Sequence, residues 1–220
     1  MEWGYAGSTG PEHWASLSPE YSPCGEGAQQ SPVDLTGYEH GPTPRLSLSY
    51  DGGVSGVALV RGSVIVEFAP GSSLTLGEQR FELLSAHAHA PAEHRVDGEA
   101  FAAELHVVHE DPSGDALVVA VLYRSGPPSP VLQAMLDGVV GAAPSPQLGA
   151  ADFVPRSSAF YNYTGSKTTP PCQEPVAWVV MRDADTVSPE QVRALESYSG
   201  GPNNRPVQPL RGRKIVLVGG

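Results

Sequence analysis

Residues 79–109, QRFELLSAHAHAPAEHRVDGEAFAAELHVVH, contain five of the seven histidines of the chain. Apolar and polar residues alternate on both sides of Asp97-Gly98, and this period of two predicts two β-strands around a favoured hairpin turn. His87 and His89 stand two residues apart in the first strand, so their side chains point to one face. The second strand is then expected to bring His106 opposite them, which gives three imidazoles on one side of a sheet.

These three imidazoles predict a metal site. Three neutral histidines without a thiolate or carboxylate suit Zn²⁺ and leave a fourth position for water, which is typical of catalytic zinc. The pair His87 and His89 alone is explained equally well by two surface or buried histidines. The third imidazole makes the metal site the better interpretation. His94 and His109 lie off the ligand face, so we expect both to be structural, hydrogen-bonded histidines.

Glu104 shares the face of His106 and is placed to accept its ring N–H, which would fix the tautomer of that ligand. An exposed charge on a strand is the alternative. The neighbours of Glu104 are alanine, leucine and valine, which favours a buried carboxylate, and a buried carboxylate needs such a partner. Ser85 lies on the face of His87.

The rest of the chain also consists of short β-type segments separated by Gly, Pro and Asp-Gly. We predict strands at residues 45–50, 55–59, 63–68, 73–76, 79–89, 100–109, 116–124, 177–180 and 214–218. Helical patterns are few: residues 131–140, and residues 189–198 with Ser188 as N-cap and Gly200 as the stop. Residues 141–146 are predicted to form a surface loop. No repeat or linker divides the chain, so we expect one mostly β domain over residues 1–220.

The charge of the chain excludes some classes of partner. It has 13 Lys and Arg against 24 Asp and Glu, a formal charge of −11, and a net negative field repels nucleic-acid phosphates and anionic membrane surfaces. No apolar run approaches the roughly 18 residues that a membrane span needs. We therefore expect a soluble protein with neither nucleic acid nor a membrane as partner.

The sequence alone leaves the state of the two cysteines, Cys24 and Cys172, open. Two buried thiols are one interpretation. Both cysteines lie in turn-rich settings, Ser-Pro-Cys-Gly and Pro-Pro-Cys, which favours a bridge between them. A bridge implies an oxidising compartment, and we then expect a periplasmic or secreted protein whose signal peptide is absent from this chain.

Several segments together resemble the α-class carbonic anhydrases, in particular the exported bacterial members. The stretch from His87 to His109 carries the resemblance, and further blocks follow the family's order along nearly the whole chain. The family pattern Ser-Glu-His, an aromatic residue and Glu-Leu-His is met from Glu93 to His106, except that Ala92 replaces the serine. The cysteine pair is similar to the disulfide of exported members. The further blocks are WGY at 3–5, GPEHW at 10–14, QSPV at 30–33, GSKTTPPC at 165–172 and NNRPVQPL at 203–210.

This resemblance implies a single domain with a few short peripheral helices around a large, mainly antiparallel twisted sheet. It implies an enzyme that interconverts carbon dioxide and bicarbonate through a zinc-bound hydroxide, with Zn²⁺ held by His87, His89 and His106. Esterase activity is expected as a secondary reaction of the same site. Bicarbonate, small anions and sulfonamide-type inhibitors are the implied ligands, and the chain is expected to be a monomer or a homodimer.

The resemblance also assigns roles to residues around the metal. Thr168 would accept a hydrogen bond from the nucleophile and donate one to Glu93, while Tyr5 matches a tyrosine of the family's active-site network. For the apolar members of the implied substrate pocket, an ordinary hydrophobic core is the alternative, and both interpretations can hold together. The pocket residues are Val108, Val118, Val176, Trp178, Lys167 and Thr169.

Three positions depart from the family pattern. Ser63 stands where a proton-shuttle histidine is usual, and because serine cannot carry a proton near neutral pH we expect slow, buffer-dependent proton transfer. Lys167 replaces a leucine beside Thr168, and we expect it to strengthen the binding of bicarbonate and inhibitory anions at the mouth of the site. Ser85 and Ala86 replace Gln-Phe before the first ligand, which shortens a contact that supports that histidine.

A catalytically weak or silent binding module with the same fold is the alternative function. Such a module needs no metal ligands, whereas the three histidines, Glu93, Glu104 and Thr168 are all present, which favours the enzyme. A zinc storage protein would leave Thr168 and the apolar wall without a role.

Overall fold

The structure is a computed structural model that describes residues 2–41, 44–141, 148–155 and 159–219 of the 220-residue chain. Strands dominate it, as the sequence predicts. They are β1 (Asp34–Leu35), β2 (Glu39–His40), β3 (Leu46–Ser49), β4 (Val54–Val60), β5 (Ser63–Phe68), β6 (Ser73–Leu76), β7 (Gln79–His89), β8 (Arg95–Val96), β9 (Glu99–Ala100), β10 (Ala103–Glu110), β11 (Ala116–Ser125), β12 (Phe160–Gly165), β13 (Val176–Met181), β14 (Asp185–Val187) and β15 (Val216–Val218). The helices are α1 (Trp14–Leu17), α2 (Pro23–Glu26), α3 (Pro130–Val139) and α4 (Pro189–Ser199), with 3₁₀ turns at Gly7–Thr9, Pro19–Tyr21 and Ala150–Phe153.

One large twisted sheet carries most of the strands. Its order is β2-β15-β12-β13-β11-β10-β7-β5-β4, with β14 beside β11 and with β6 pairing both β3 and β7. The parallel pairs are β11 with β13, β11 with β14 and β15 with β2, and the remaining neighbours in this sheet are antiparallel. The expected mainly antiparallel sheet is therefore confirmed, with parallel pairs in its middle and at the β2 edge. β1, β8 and β9 form a separate small sheet.

The middle of the large sheet is buried on both faces, which explains the sequence of β11, ALVVAVLYRS. Leu117, Val119 and Val121 belong to one hydrophobic cluster, and Val118 and Ala120 belong to a second cluster on the opposite face. A strand covered on both faces has a nearly continuous apolar run instead of an alternating pattern. Burying each such valine or leucine stabilises the fold by about 1.5–3 kcal/mol.

β10 separates packing residues from chemical ones. Leu105 and Val107 are fully buried in the first cluster, which also contains residues of α3 and α4. Because side chains alternate along a strand, Glu104 and His106 point to the other face. The candidate site therefore lies on the side of the sheet away from α3 and α4.

The ends of α3 and α4 follow from their sequences. Ser129 and Ser188 are the N-caps, and their hydroxyls accept hydrogen bonds from the backbone N–H groups of Leu132 and Gln191. The side chain of Gln191 also donates to the carbonyl of Ser129 at 2.8 Å, which ties the two helix starts together. Gly200 ends α4 with a φ of 76°, a left-handed conformation that favours glycine. The predicted cap and stop of α4 are confirmed, and the helix predicted at 131–140 is α3. The loop predicted at 141–146 lies, apart from residue 141, outside the described residues.

Two predictions are wrong in detail. Asp97-Gly98 forms a turn of two left-handed residues, with φ of 48° and 82°, but it joins β8 to β9. β7 and β10 are sheet neighbours that this hairpin does not connect. The strand predicted at 100–109 is also interrupted, since β9 and β10 belong to different sheets. The segment between β7 and β10, residues 90–102, brings Glu93 and His94 back to β10. There the backbone N–H groups of both residues donate hydrogen bonds to the carboxylate of Glu104.

Some strands are not among the predicted ones. β12, with the sequence FYNYTG, has the aromatic and β-branched residues that strands favour, so a signal for it is present. It lies between β13 and β15 and ends directly before Ser166. The other unpredicted strands are two or three residues long, which is too short for a periodic pattern; they are β1, β2, β8 and β14.

A disulfide between Cys24 and Cys172 joins α2 to the segment that follows Thr169. The bridge favoured by the sequence is confirmed, and the alternative of two free thiols is wrong. The two cysteines are 148 residues apart in sequence, and closing so long a loop stabilises the fold by at most about 5 kcal/mol. No helix in the described parts of the chain is long and apolar enough to span a membrane.

Candidate active site

β7 and β10 bring three histidine rings together. His87 lies opposite His106 in the antiparallel register, and His89 lies opposite Glu104. The ring centroids are 5.1 Å apart for His87 and His89, 5.2 Å for His87 and His106, and 4.7 Å for His89 and His106. One nitrogen from each ring lies within 4.8 Å of the others, a spacing from which all three can reach one metal ion. The structure thus brings together all three ligands that the sequence predicts.

Hydrogen bonds of His89 and His106 determine which ring nitrogen of each is free to bind a metal. His89 Nδ1 donates to the backbone carbonyl of Asn203 at 2.8 Å, and His106 Nε2 donates to Glu104 Oε1 at 2.7 Å. Nε2 of His89 is buried and has no hydrogen-bond partner within the described residues. A buried polar atom without a partner costs about 1–3 kcal/mol. A metal ion bound by this lone pair removes the cost, so the site fits a metal.

Burial keeps the three rings neutral. It lowers the pKa of His87 well below its usual range, and it also lowers the pKa of His89 and the pKa of His106. Neutral imidazole is the form that binds a metal, because the protonated ring has no free lone pair. Three neutral nitrogen donors are a set that suits zinc.

Glu104 is a fully used buried carboxylate. Its Oε1 accepts from His106 Nε2 at 2.7 Å and from His94 Nδ1 at 2.6 Å, and its Oε2 accepts from the backbone N–H groups of Glu93 and His94 at 2.9 and 2.8 Å. Burial alone would raise the pKa of Glu104, but the hydrogen bonds and electrostatic interactions that His94 and His106 make with it outweigh burial and hold the pKa well below its usual range. The carboxylate therefore stays ionised and fixes the ring of His106.

His94 is buried and hydrogen-bonded, as its place in the sequence predicts. Its Nε2 lies 2.7 Å from the hydroxyl of Tyr163, which lies 2.8 Å from the hydroxyl of Ser31. Ser31 and Ser166 exchange two further hydrogen bonds, from each backbone N–H to the other's side chain, at 2.9 and 3.1 Å. A continuous buried chain thus connects Glu104 with the segment that carries Thr168.

Glu93 is buried beside the ligands. Its Oε1 accepts from the backbone N–H of Arg205 at 2.8 Å, and its Oε2 lies 3.6 Å from His89 Nε2 and 3.9 Å from His106 Nε2. Burial raises the pKa of Glu93 to about 7, and the electrostatic interaction with His106 and the hydroxyl of Thr168 act against this rise. Oε2 meets the distance and angle criteria for a hydrogen bond with none of the described residues. The hydroxyl of Thr168 lies close enough to lower the pKa of Glu93, and it can donate to this oxygen.

A small cavity of about 100 Å³ opens in front of the histidines. Thr168 is buried and Thr169 half-buried at its edge. Val176 belongs to the same hydrophobic cluster as Val118 and Trp178 but is buried and does not line the cavity. The lining residues are His87, His106, Val108, Ala116, Val118, Lys167, Thr168, Thr169 and Trp178. All other predicted pocket residues therefore face the predicted metal site. A larger groove of about 540 Å³ lies beside α2, but no histidine lines it.

The remaining predicted positions also lie near the site. Burial and the charge of Glu93 raise the pKa of Tyr5, which places this hydroxyl within the electrostatic reach of that carboxylate. Ile65 lies opposite His87, and Ser63, two residues earlier on β5, shares that face. Ser85 lies opposite Val108. The shortened contact from Ser85 to the His87 ring stays a prediction.

Asn203 and Arg205 support the site without having been singled out from the sequence. The side chain of Asn203 accepts a hydrogen bond from the backbone N–H of Ala90 at 2.7 Å. Arg205 is buried over the Trp14 ring, and its guanidinium donates to the carbonyls of Ser31 and Cys24 at 2.7 and 2.6 Å. Both residues stand in the NNRPVQPL block, but a role for them depends on contacts more than 100 residues distant in sequence.

Comparison with known proteins agrees with this geometry. Residues 9–218 match the family model described as eukaryotic-type carbonic anhydrase. The chain belongs to this family. A carbonic anhydrase of Nostoc sp. is 37% identical, and the alignment covers 98% of this chain and 86% of that protein. The resemblance predicted from the sequence is confirmed, and with it the enzyme class.

Solved structures of carbonic anhydrases share the whole fold. A hyperthermostable carbonic anhydrase identified from an active hydrothermal vent chimney has a TM-score of 0.93 at 35% identity, covering 99% of this chain and 100% of that one. The α-carbonic anhydrase from Thermovibrio ammonificans, solved in complex with the inhibitor sulfanilamide, has a TM-score of 0.89 at 34% identity and covers 98% of each chain. These likenesses extend over the sheet, the helices and the segments that hold the site.

Proposed function

We propose that this carbonic anhydrase catalyses the reversible hydration of carbon dioxide to bicarbonate and a proton, with Zn²⁺ bound by His87, His89 and His106. The observation that carries the proposal is the buried, unpartnered Nε2 of His89, held beside two further neutral imidazoles at the end of an apolar cavity. When bound there, zinc supplies Lewis acidity that makes water a nucleophile near neutral pH.

The chain's own residues hold the ligands in place. Glu104 accepts the Nε2 proton of His106, and the carbonyl of Asn203 accepts the Nδ1 proton of His89, so each ring keeps the tautomer whose other nitrogen is free. Both partners are buried and are themselves fixed by further hydrogen bonds. This arrangement prevents the rings from turning away from the metal.

Thr168 and Glu93 orient the attacking water. Glu93 has a free carboxylate oxygen, and the Thr168 hydroxyl is its neighbouring donor. A hydroxyl that donates its proton to Glu93 has only lone pairs left for a second partner, so it accepts a hydrogen bond from the water. The water oxygen then turns its remaining lone pair towards the substrate.

Val108, Val118 and Trp178 provide the place for carbon dioxide. They form the apolar part of a cavity whose volume of about 100 Å³ suits a small, weakly polar molecule. An apolar wall does not compete with the polar groups for hydrogen bonds. The product, bicarbonate, is charged and is held less well by such a wall, which favours its release.

Proton removal is the expected slow step. Ser63 lies on the face of the site where β5 begins, and a hydroxyl does not exchange protons efficiently near pH 7. Protons therefore leave through external buffer, and turnover rises with buffer concentration. The same nucleophile attacks activated esters, so we propose weak esterase activity as well.

The test combines metal content with carbon dioxide hydration. We expect about one zinc per chain by elemental analysis and, in stopped-flow measurements, activity that is lost on chelation and climbs with the concentration of an imidazole-type buffer. Activity that is high and independent of buffer would contradict the missing shuttle. Zinc binding without any hydration would instead favour the silent binding module. The disulfide supports a periplasmic or secreted location. Two free thiols found by titration of the unfolded, unreduced protein would contradict this location.

A further inference from the structure

Lys167 is the one Lys or Arg among the residues that line the cavity. The chain contains two lysines, Lys167 and Lys214. Lys214 forms an ion pair with Glu39 at 3.1 Å. Lys167 is exposed and takes part in none of the ion pairs found within residues 2–41, 44–141, 148–155 and 159–219. Its charge is therefore available to a ligand.

The backbone around Lys167 is held firmly although the side chain is exposed. Its N–H donates to the carbonyl of Gln173 at 3.0 Å, and its carbonyl accepts from the Ser166 hydroxyl at 2.8 Å. The N–H of Cys172 donates to the carbonyl of Thr169 at 2.9 Å, and the disulfide anchors this turn to α2. The ammonium group thus sits on a flexible stem that starts from a fixed point at the edge of the cavity.

The two acidic groups beside the histidines form no ion pair with Lys167. Glu93 and Glu104 are buried, and the residues that their oxygens contact are His89, His94, His106, Thr168, Arg205 and backbone N–H groups. The chain as a whole has a formal charge of −11, so an approaching anion is repelled by most of the surface. Lys167, an unpaired cation at the cavity, offsets this repulsion of anions locally.

We propose that Lys167 forms an anion-binding subsite at the mouth of the cavity, which retains bicarbonate and other small monovalent anions beside the metal position. This inference rests on the proposed function. Carbon dioxide is neutral and gains nothing from the charge, so the subsite acts on the product of hydration and on anionic inhibitors. Lys167 is a specificity-determining residue and takes no part in the chemical step.

The subsite has a characteristic kinetic effect. A contact made with bound bicarbonate but not strengthened in the transition state changes KM and kcat for dehydration together and leaves their ratio unchanged. The ratios kcat/KM in the two directions are tied by the equilibrium constant, so the ratio for carbon dioxide is also unchanged. At buffer concentrations high enough that proton transfer no longer limits turnover, removing the charge therefore raises the KM for bicarbonate and the kcat for dehydration by the same factor.

The experiment compares the wild type with Lys167→Leu and Lys167→Arg, with Lys214→Leu as the matched control for the loss of a lysine. Each protein is loaded with Co²⁺, and its visible spectrum is titrated with thiocyanate and with bicarbonate at low ionic strength. We expect Lys167→Leu to raise the dissociation constants of both anions about 2- to 5-fold, which is the range for the loss of one exposed charge. Lys167→Arg and Lys214→Leu are expected to match the wild type.

The outcomes separate the two proposals. If the wild type binds neither zinc nor cobalt, the proposed function fails, and the anion subsite fails with it. If the metal binds but Lys167→Leu and the wild type have the same dissociation constants for both anions, the anion subsite alone is overturned. It is also overturned if Lys214→Leu weakens the anions as much as Lys167→Leu, because the effect then comes from net charge.

Discussion

Glu104→Gln tests how the site holds its ligands. The substitution keeps the size and shape of the side chain but replaces two acceptor oxygens by one acceptor and one NH₂ donor. Glu104 receives four hydrogen bonds, two at each oxygen, from His106, His94 and two backbone N–H groups. Whichever way the amide turns, its NH₂ group meets two of these donors.

The expected cost follows from those contacts. An amide whose NH₂ faces the backbone leaves two buried N–H groups without an acceptor, and each costs about 1–3 kcal/mol. An amide whose NH₂ faces the rings can relieve the conflict only if His106 moves its proton to Nδ1. That proton then occupies the nitrogen that we assign to the metal. We therefore expect the free energy of unfolding of the metal-free protein to fall by about 2–6 kcal/mol, or zinc affinity to fall about 10- to 100-fold.

Two measurements distinguish these routes. Urea unfolding of the metal-free protein reports the unsatisfied backbone groups, and competition with a chelator reports zinc affinity. Glu110→Gln is the matched control, since Glu110 is the exposed last residue of the same strand, and it is expected to change neither quantity. If Glu104→Gln keeps both the wild-type stability and the wild-type zinc affinity, the role assigned to Glu104 is wrong.

Three further predictions concern other parts of the structure. Ser63→His is expected to raise turnover about 10-fold or more at low buffer concentration and to remove most of the buffer dependence, measured by stopped-flow hydration; unchanged buffer dependence would place the proton path elsewhere. Gly165→Ala puts a Cβ against the Ser31 hydroxyl, so it should destabilise the fold by about 1–3 kcal/mol, whereas Gly53→Ala, with nothing within 4 Å, should be neutral in the same unfolding assay. His109 is fully buried, and burial lowers its pKa to about 4; the unfolded chain therefore binds more protons between pH 6.5 and 4, and stability falls by up to about 3 kcal/mol as the pH drops through that window. His109→Gln should flatten this part of the stability profile, and an unchanged slope would rule the assignment out.

The ligand histidines could be predicted from the sequence because their spacing is local. His87 and His89 share a face through the period of a strand, and His106 stands on a neighbouring strand whose face follows from the same period. Glu104 could be predicted in the same way, two residues from the histidine that it contacts. Each of these inferences uses strand geometry over a few residues.

The connection between the two strands could not be predicted in this way. Asp97-Gly98 has the chemistry of a hairpin turn, and it does form one, but between the two-residue strands β8 and β9, of which β8 also pairs with β1. A turn signal identifies a turn and not the strands that it joins. The segment between β7 and β10 contributes to the site, because it places the backbone N–H groups of Glu93 and His94 against the carboxylate of Glu104.

The supports of the site depend on contacts between distant segments. Asn203 fixes His89 from 114 residues away, and Arg205 holds the carbonyls of Ser31 and Cys24 from 174 and 181 residues away. Such contacts have no local pattern, so only the resemblance of the NNRPVQPL block marked them. The segment 203–210 has no regular secondary structure, and several of its backbone groups bond to distant residues, among them the N–H of Asn203 to the carbonyl of Ala90 and the N–H of Arg205 to Glu93. The distant contacts therefore stabilise the segment and also position the ligands. Removing one of these contacts should lower both the free energy of unfolding and the affinity for the metal.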